Sequence, residues 1–199
     1  MIISAFDMFS IGIGPSSSHT VGPMRAAKKF TDDLTSNNLL DSVTGIKVEL
    51  FGSLGQTGIG HGTGKAVILG LAGYLPETID PDAVPGLLKQ VNDEQQIRLA
   101  KAKPVSFPRE GAIVFHRRKT LKEHSNGMEL IAYDKDKNIV LSDVYFSIGG
   151  GFIVKAEDFA KEKEAASQFA SDNPPPFPFE SGAELLALCK EHGLSIAGL

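Results

Sequence analysis

The 199-residue chain has a single cysteine, Cys189, which excludes an internal disulfide framework and leaves a cytoplasmic enzyme as the default class. The same scarcity bears on cofactors, because a cubane iron–sulfur cluster is ordinarily held by several thiolates and only one is present. Cys189 sits in an apolar helical pattern with Leu185, Leu186 and Leu188, so packing is its simplest role. Long hydrophobic runs are also missing. The apolar stretch near the N-terminus is short, is broken by Asp7 and follows no basic region, which argues against both a signal peptide and a membrane span. There is no basic stripe to release counterions, and the formal net charge of -4 argues against nucleic acid. Basic residues cluster at His116, Arg117, Arg118, Lys119 and Lys122, which reads as the solvated end of a hairpin. The histidines show no H-x-x-x-H spacing, and G-x-S-x-G is absent, so neither a local zinc site nor a serine nucleophile elbow is indicated.

What is present suits one compact domain plus an appendage, with 42% hydrophobic residues to fill a core. An apolar segment spans residues 2–13. Val21, Met24, Ala27 and Lys28 fall at helical spacing and predict a helix over residues 20–34, closed by a turn at Asn37 and Asn38. Ile46, Val48 and Leu50 alternate with polar neighbours and predict a strand over 45–54. A glycine-rich stretch follows over 52–64, then a run over 66–75 so apolar that it reads as a buried helix. Asp80 and Pro81 open a shorter helix to residue 91. Three strands are expected over 112–116, 128–133 and 139–147, the last two joined by a hairpin at 134–138. Consecutive strands beside helices that do not alternate with them predict an α+β fold on a mostly antiparallel sheet.

After Ile153 the character changes. Residues 156–170 are charged and alanine-rich, and Asn173 to Phe179 hold consecutive prolines, an extended spacer. Ser181 then caps a helix to His192, with Glu184 completing a capping box. The expected division is a domain over 1–155, a linker over 156–179 and the start of a second domain over 180–199, as in a truncated chain.

Three segments offer chemistry. Ser16, Ser17, Ser18, His19 and Thr20 stand where a helix begins, so hydroxyls and free amides there suit a carboxylate or phosphate. The residues from Gly58 to Lys65 resemble a nucleotide loop but fail its tests: Ile59 replaces the first Walker glycine, Ala66 the final Ser or Thr, and Thr63 the third dinucleotide glycine. What remains is His61 on a glycine backbone, able to approach a ligand and to take a proton. Gly149, Gly150 and Gly151 at a strand end suit either ligand contact or a hinge. His124, Ser125, Asn126 and Gly127 read as a hairpin turn, for which Asn-Gly is a strong signal.

Four blocks carry a resemblance to a known family. The run from Phe6 to Met24 is similar to the start of bacterial iron–sulfur L-serine dehydratases. Gly60-His61-Gly62-Thr63-Gly64-Lys65, then His124-x-Asn126-Gly127-Met128, then Tyr145-x-Ser147-Ile148-Gly149-Gly150-Gly151-Phe152 follow in the family's order. The family often carries Pro where Ser125 stands and Tyr where Phe146 stands, departures that concern a turn and packing.

The resemblance implies a β domain similar to a substrate-binding domain of some phosphoglycerate dehydrogenases. It implies a separate catalytic α domain of the same chain, holding a [4Fe-4S] cluster whose ligands lie outside these residues. It also implies conversion of L-serine to pyruvate and ammonia in a cytoplasmic homodimer, by a polypeptide that is inactive without its α domain. A cluster iron would activate the β-hydroxyl while a base takes the α-proton. His61 is the expected base. Ser16, Ser17, Ser18, His19 and Thr20 are expected to hold the carboxylate, with Gly62, Thr63, Lys65, His124, Asn126, Gly149 and Gly150 completing the pocket. A regulatory serine-binding module without chemistry is the competing expectation, and a plain dimerisation domain ranks below both.

Overall fold

A computed structural model of the chain describes residues 12–108, 110–159, 177, 179 and 181–199. Most of the N-terminal apolar segment and most of the expected linker lie outside the described residues. The chain divides into two compact units, Ile2–Glu162 and Lys163–Leu199.

In the first unit a single π-helical turn, Ser17–Val21, runs directly into helix α1, Gly22–Ser36. Strand β1, Gly45–Leu50, follows, then α2 (Gly52–His61), α3 (Thr63–Leu71), a short 3-10 turn at Pro81–Ala83 and α4 (Val84–Glu94). Six further strands complete the unit: β2 (Gln96–Leu99), β3 (Lys103–Ser106), β4 (Ile113–Phe115), β5 (Gly127–Tyr133), β6 (Ile139–Gly149) and β7 (Phe152–Lys155). They form one sheet in the order β2-β3-β1-β5-β6-β7, with β4 also pairing β1. Four pairings are antiparallel, while β1 runs parallel to both β3 and β4. The fold is α+β on a mixed, mostly antiparallel sheet.

The alternation along β1 sends Ile46, Val48 and Leu50 to one face, where they share a core with residues of α1, α2 and α3. Phe30, Leu34, Leu54, Met128, Leu130 and Tyr145 join this core, each no more than 1% exposed. Burying side chains of this size contributes roughly 1.5–3 kcal/mol apiece, so this layer fixes where the helix ends point. Between α1 and α3 the backbones nearly touch. A Cβ at Gly70 would stand 2.2 Å from the Met24 carbonyl oxygen.

The structure departs from the sequence expectations at four places. The glycine-rich stretch is not loop but α2, whose glycines at 52, 55 and 58 recur every third residue and are buried. A Cβ at Gly55 would lie 2.3 Å from the His116 carbonyl oxygen, so the stripe lets the helix rest on backbone. The β2–β3 hairpin escapes notice because its turn uses Ala100 and Lys101 at φ 51° and 63°, without the glycine the pattern favours. The segment from His116 to Asn126 is not a hairpin end. β4 and β5 flank opposite edges of β1, so the segment must cross over the strand's C-terminal end. Gly149, Gly150 and Gly151, at φ 105°, 59° and 84°, turn the chain from β6 back into β7 and do not release it into a spacer.

The expected hairpin between β5 and β6 is present, closed by Asp134, whose Oδ1 accepts the Asp136 and Asn138 amides at 2.9 and 2.8 Å. Asp80 caps its turn as expected, accepting the Asp82 amide at 3.0 Å. In the second unit, helix α5 spans Gly182–His192 with Ser181 accepting the Glu184 amide, and Cys189 is its buried residue. Among the described residues no helix is long and apolar enough to cross a membrane.

Candidate active site

The Ser-rich segment forms its π turn because each polar group finds a partner close by. Ser16 Oγ accepts the His19 amide at 3.3 Å, and its carbonyl accepts the Thr20 amide at 2.9 Å and the Thr20 hydroxyl. Ser18 Oγ lies 2.9 Å from His19 Nδ1 and 3.4 Å from Ser16 Oγ. These hydroxyls therefore build the turn itself, while Ser17 stands exposed. π turns of this kind recur at functional sites.

The turn drives the His19 ring inward, to 9% exposure. Its Nε2 lies 3.0 Å from Ser53 Oγ in the first turn of α2. Both ring nitrogens are thus occupied by serine hydroxyls. Burial lowers the His19 pKa, and the adjacent His61 lowers it further, against an opposing contribution from Ser53. Both effects favour the neutral imidazole of His19, because charging a desolvated ring costs free energy.

His61 ends α2. Its ring centroid is 4.8 Å from that of His19, with the planes tilted by 50°. Gly62 at φ 73° ends one helix and starts the next, a left-handed position suited to glycine. The Gly62 backbone caps without a side chain, so the first amides of α3 (Thr63, Gly64 and Lys65) have no intrahelical acceptor. Thr63 is fully buried and donates its hydroxyl to the His19 carbonyl at 2.6 Å, locking the α2–α3 junction onto the π turn.

A cleft of about 300 Å³ opens at this junction. Thr20, His61, Gly62 and Lys65 line it beside Gly14, Pro15, Ile59 and Val84. His19 stands behind His61, and Thr63 is structural to the wall. Among the described residues the His61 imidazole makes no hydrogen bond, which leaves its nitrogens available to a guest.

The remaining predicted residues occupy a neighbouring loop and turn. His124 Nδ1 accepts the Asn126 amide at 3.0 Å, and Asn126 grips Ser147 through both backbone and side chain. Gly149 and Gly150 are in the β6–β7 turn, tied down where Arg25 donates to the Gly151 carbonyl at 3.0 Å. None of these four lines the cleft. Ser53, Ile59 and Val84 were not legible as site residues. Ser53 had one signal, its place directly after a strand at the opening of a glycine-spaced helix.

The region from residue 4 to 158 matches the family model described as serine dehydratase beta chain. The chain belongs to that family. It is 49% identical to L-serine dehydratase 1 of Escherichia coli K12 over its whole length, which is 42% of that protein. It is 47% identical to an L-serine dehydratase of Streptomyces coelicolor over its whole length, 43% of that protein, and 43% identical over 98% of its length to one from Haemophilus influenzae, 42% of that protein. This member of the serine dehydratase beta chain family therefore spans about two fifths of the length of the curated relatives it matches. Among the described residues no group of three or more His, Cys, Asp or Glu is placed to hold a metal ion.

Proposed function

We propose that the chain is the substrate-binding β domain of a cytoplasmic, homodimeric L-serine dehydratase, a lyase converting L-serine to pyruvate and ammonia. Residues 1–155 form that domain, 156–179 a linker, and 180–199 the start of the catalytic α domain. The names of the relatives support the reaction, and the cleft at the α2–α3 junction supports the location.

The observation that carries the chemistry is the inequality of two adjacent histidines. His19 has both nitrogens engaged and is buried, whereas His61 faces the cleft with neither engaged. Serine binds with its carboxylate toward Lys65 and the unpaired amides at the start of α3, where the helix dipole favours an anion. Thr20, carried on the Ser16–Ser18 turn, lines the opposite wall, while His124, Asn126, Gly149 and Gly150 lie outside the cleft on the adjoining loop and turn, where they would reach only a substrate that extends beyond it. His61 takes the α-proton, the electron pair moves toward Cβ, and the β-hydroxyl departs. The aminoacrylate then tautomerises to an imine, which water hydrolyses to pyruvate and ammonia.

Family membership implies a [4Fe-4S] cluster as the electrophile for that hydroxyl. The described residues do not fit one: the single thiol, Cys189, is buried, and among these residues no group of three or more His, Cys, Asp or Glu is placed to hold a metal. This chain's share of the reaction is therefore binding and proton transfer.

Anaerobic pyruvate formation by the full-length polypeptide, with and without His61→Ala, tests this reading. A loss of kcat of roughly 10²-fold or more, with serine still bound by calorimetry, is expected of a general base. A variant that keeps kcat and loses only activation by serine would make the cleft a regulatory sensor. Sedimentation of the intact enzyme and cell fractionation test the dimer and its location.

A further inference from the structure

We infer that Ser53 is a positioning residue for His61, acting through His19, an inference that rests on the proton-transfer reading above. Ser53 sits where two parts of the site meet. Its hydroxyl lies 3.0 Å from His19 Nε2, and its amide donates to the Ser125 carbonyl at 2.8 Å, in the loop that carries His124 and Asn126. The neighbouring Gly52 amide donates to Lys119 in the same loop at 2.7 Å. The crossing loop thus takes up the first amides of α2, and the N-terminus of α2 is anchored by the loop, not offered to a ligand. Anchoring it fixes the Ser53 hydroxyl against His19.

The need for that hydroxyl follows from burial. With His19 only 9% exposed, an unpartnered Nε2 would be left without water, and an unsatisfied buried nitrogen is unfavourable. Removing Ser53 Oγ would leave Ser18 as the ring's one hydroxyl partner and free the ring to turn about that contact. Because the His61 ring packs against His19 at 4.8 Å, a turned His19 removes the surface that orients the base. Misplacing a catalytic group costs rate more than affinity. Because each serine hydroxyl can donate or accept, the pair holds His19 in place without fixing its tautomer.

The test uses the full-length enzyme with Ser53→Ala, Ser53→Thr and His61→Ala in the same anaerobic assay. Ser53→Ala is expected to lower kcat about tenfold with KM nearly unchanged, at unaltered folded content by circular dichroism. Ser53→Thr, which keeps a hydroxyl, is expected to restore most of that loss. The imidazole ¹⁵N resonances of His19 should shift in Ser53→Ala while those of His116 stay put. A Ser53→Ala enzyme with wild-type kcat, or a loss that follows folded content or that Ser53→Thr leaves unrepaired, would overturn the inference. If His61→Ala abolishes turnover in those same experiments, the proton-transfer reading survives without Ser53. If His61→Ala keeps its kcat, that reading fails first.

Discussion

The two ends of α1 hold polar clusters of opposite design. At the C-terminal end Lys155 reaches Asp143 at 3.0 Å, Asp33 at 3.4 Å and Glu157 at 3.5 Å, while the Tyr145 hydroxyl lies 3.4 Å from both Asp33 and Asp143. Every charge there meets its opposite. Burial alone would raise the Asp33 pKa, but the Lys29 hydrogen bond and the charges of Lys29 and Lys155 outweigh it and hold the carboxyl below its usual range. Burial, then the two aspartates, push the Tyr145 phenol up, so it remains a donor. At the N-terminal end the cluster is built of hydroxyls and imidazoles, and among the described residues one member, His61, makes no hydrogen bond. A cavity of about 490 Å³ opens beside the charged cluster, yet its groups already satisfy one another. Size does not mark the site here. An unsatisfied group on the wall does.

The sharpest way to break this contrast is to substitute at each end and read both activity and stability. His61→Ala should lower kcat of the full-length enzyme roughly 10²-fold and leave the melting temperature within error. Lys155→Met should do the reverse. It leaves Asp143 without its cation and Asp33 with Lys29 alone, and should cost about 1–2 kcal/mol, between values for exposed and fully buried pairs, with turnover of the remaining folded enzyme unchanged. If Lys155→Met lowers kcat instead, the two ends are coupled and the division between structure and chemistry fails.

Acid should separate the ends as well. The His19 pKa is below the ordinary 6.5, so the unfolded chain takes up a proton first as pH falls. Stability is then lost from about pH 6.5 downward until the folded group also titrates. Asp33 is held below its ordinary 3.8, so its contribution is present above that pH and disappears as pH falls through its folded value. Urea midpoints measured against pH should show two losses, and a His19→Gln variant should flatten only the upper one. The smallest effect expected is at Lys89–Asp93, an exposed i,i+4 pair on α4. Lys89→Gln should leave both melting temperature and kcat unchanged, a baseline for the other variants.

The sequence by itself determined the fold class, because period-2 strands and two apolar helical patterns leave few ways to bury 42% apolar residues. It determined the β5–β6 hairpin and the Asp80 and Ser181 caps, all local devices whose partners lie within a few residues. It also singled out the Ser16–Thr20 and Gly60–Lys65 segments, since glycine, serine and histidine in such density exceed what helix capping requires. What it could not reach was every feature fixed by a distant partner. Helix α2 is invisible to propensity because Gly52 and Gly55 are needed only for its close approach to the Ser125 and His116 backbones, some sixty to seventy residues on. The crossing of residues 116–126 depends on β1 accepting one strand at each edge, a choice made by the sheet and not by Asn126-Gly127. The different states of His19 and His61 were equally beyond it. Two histidines in similar glycine- and serine-rich surroundings become a buried neutral support and a free imidazole only when Ser18, Ser53 and the α2–α3 junction come together. Burial and hydrogen-bond satisfaction are properties of the assembled layers, so only the tertiary structure could decide them.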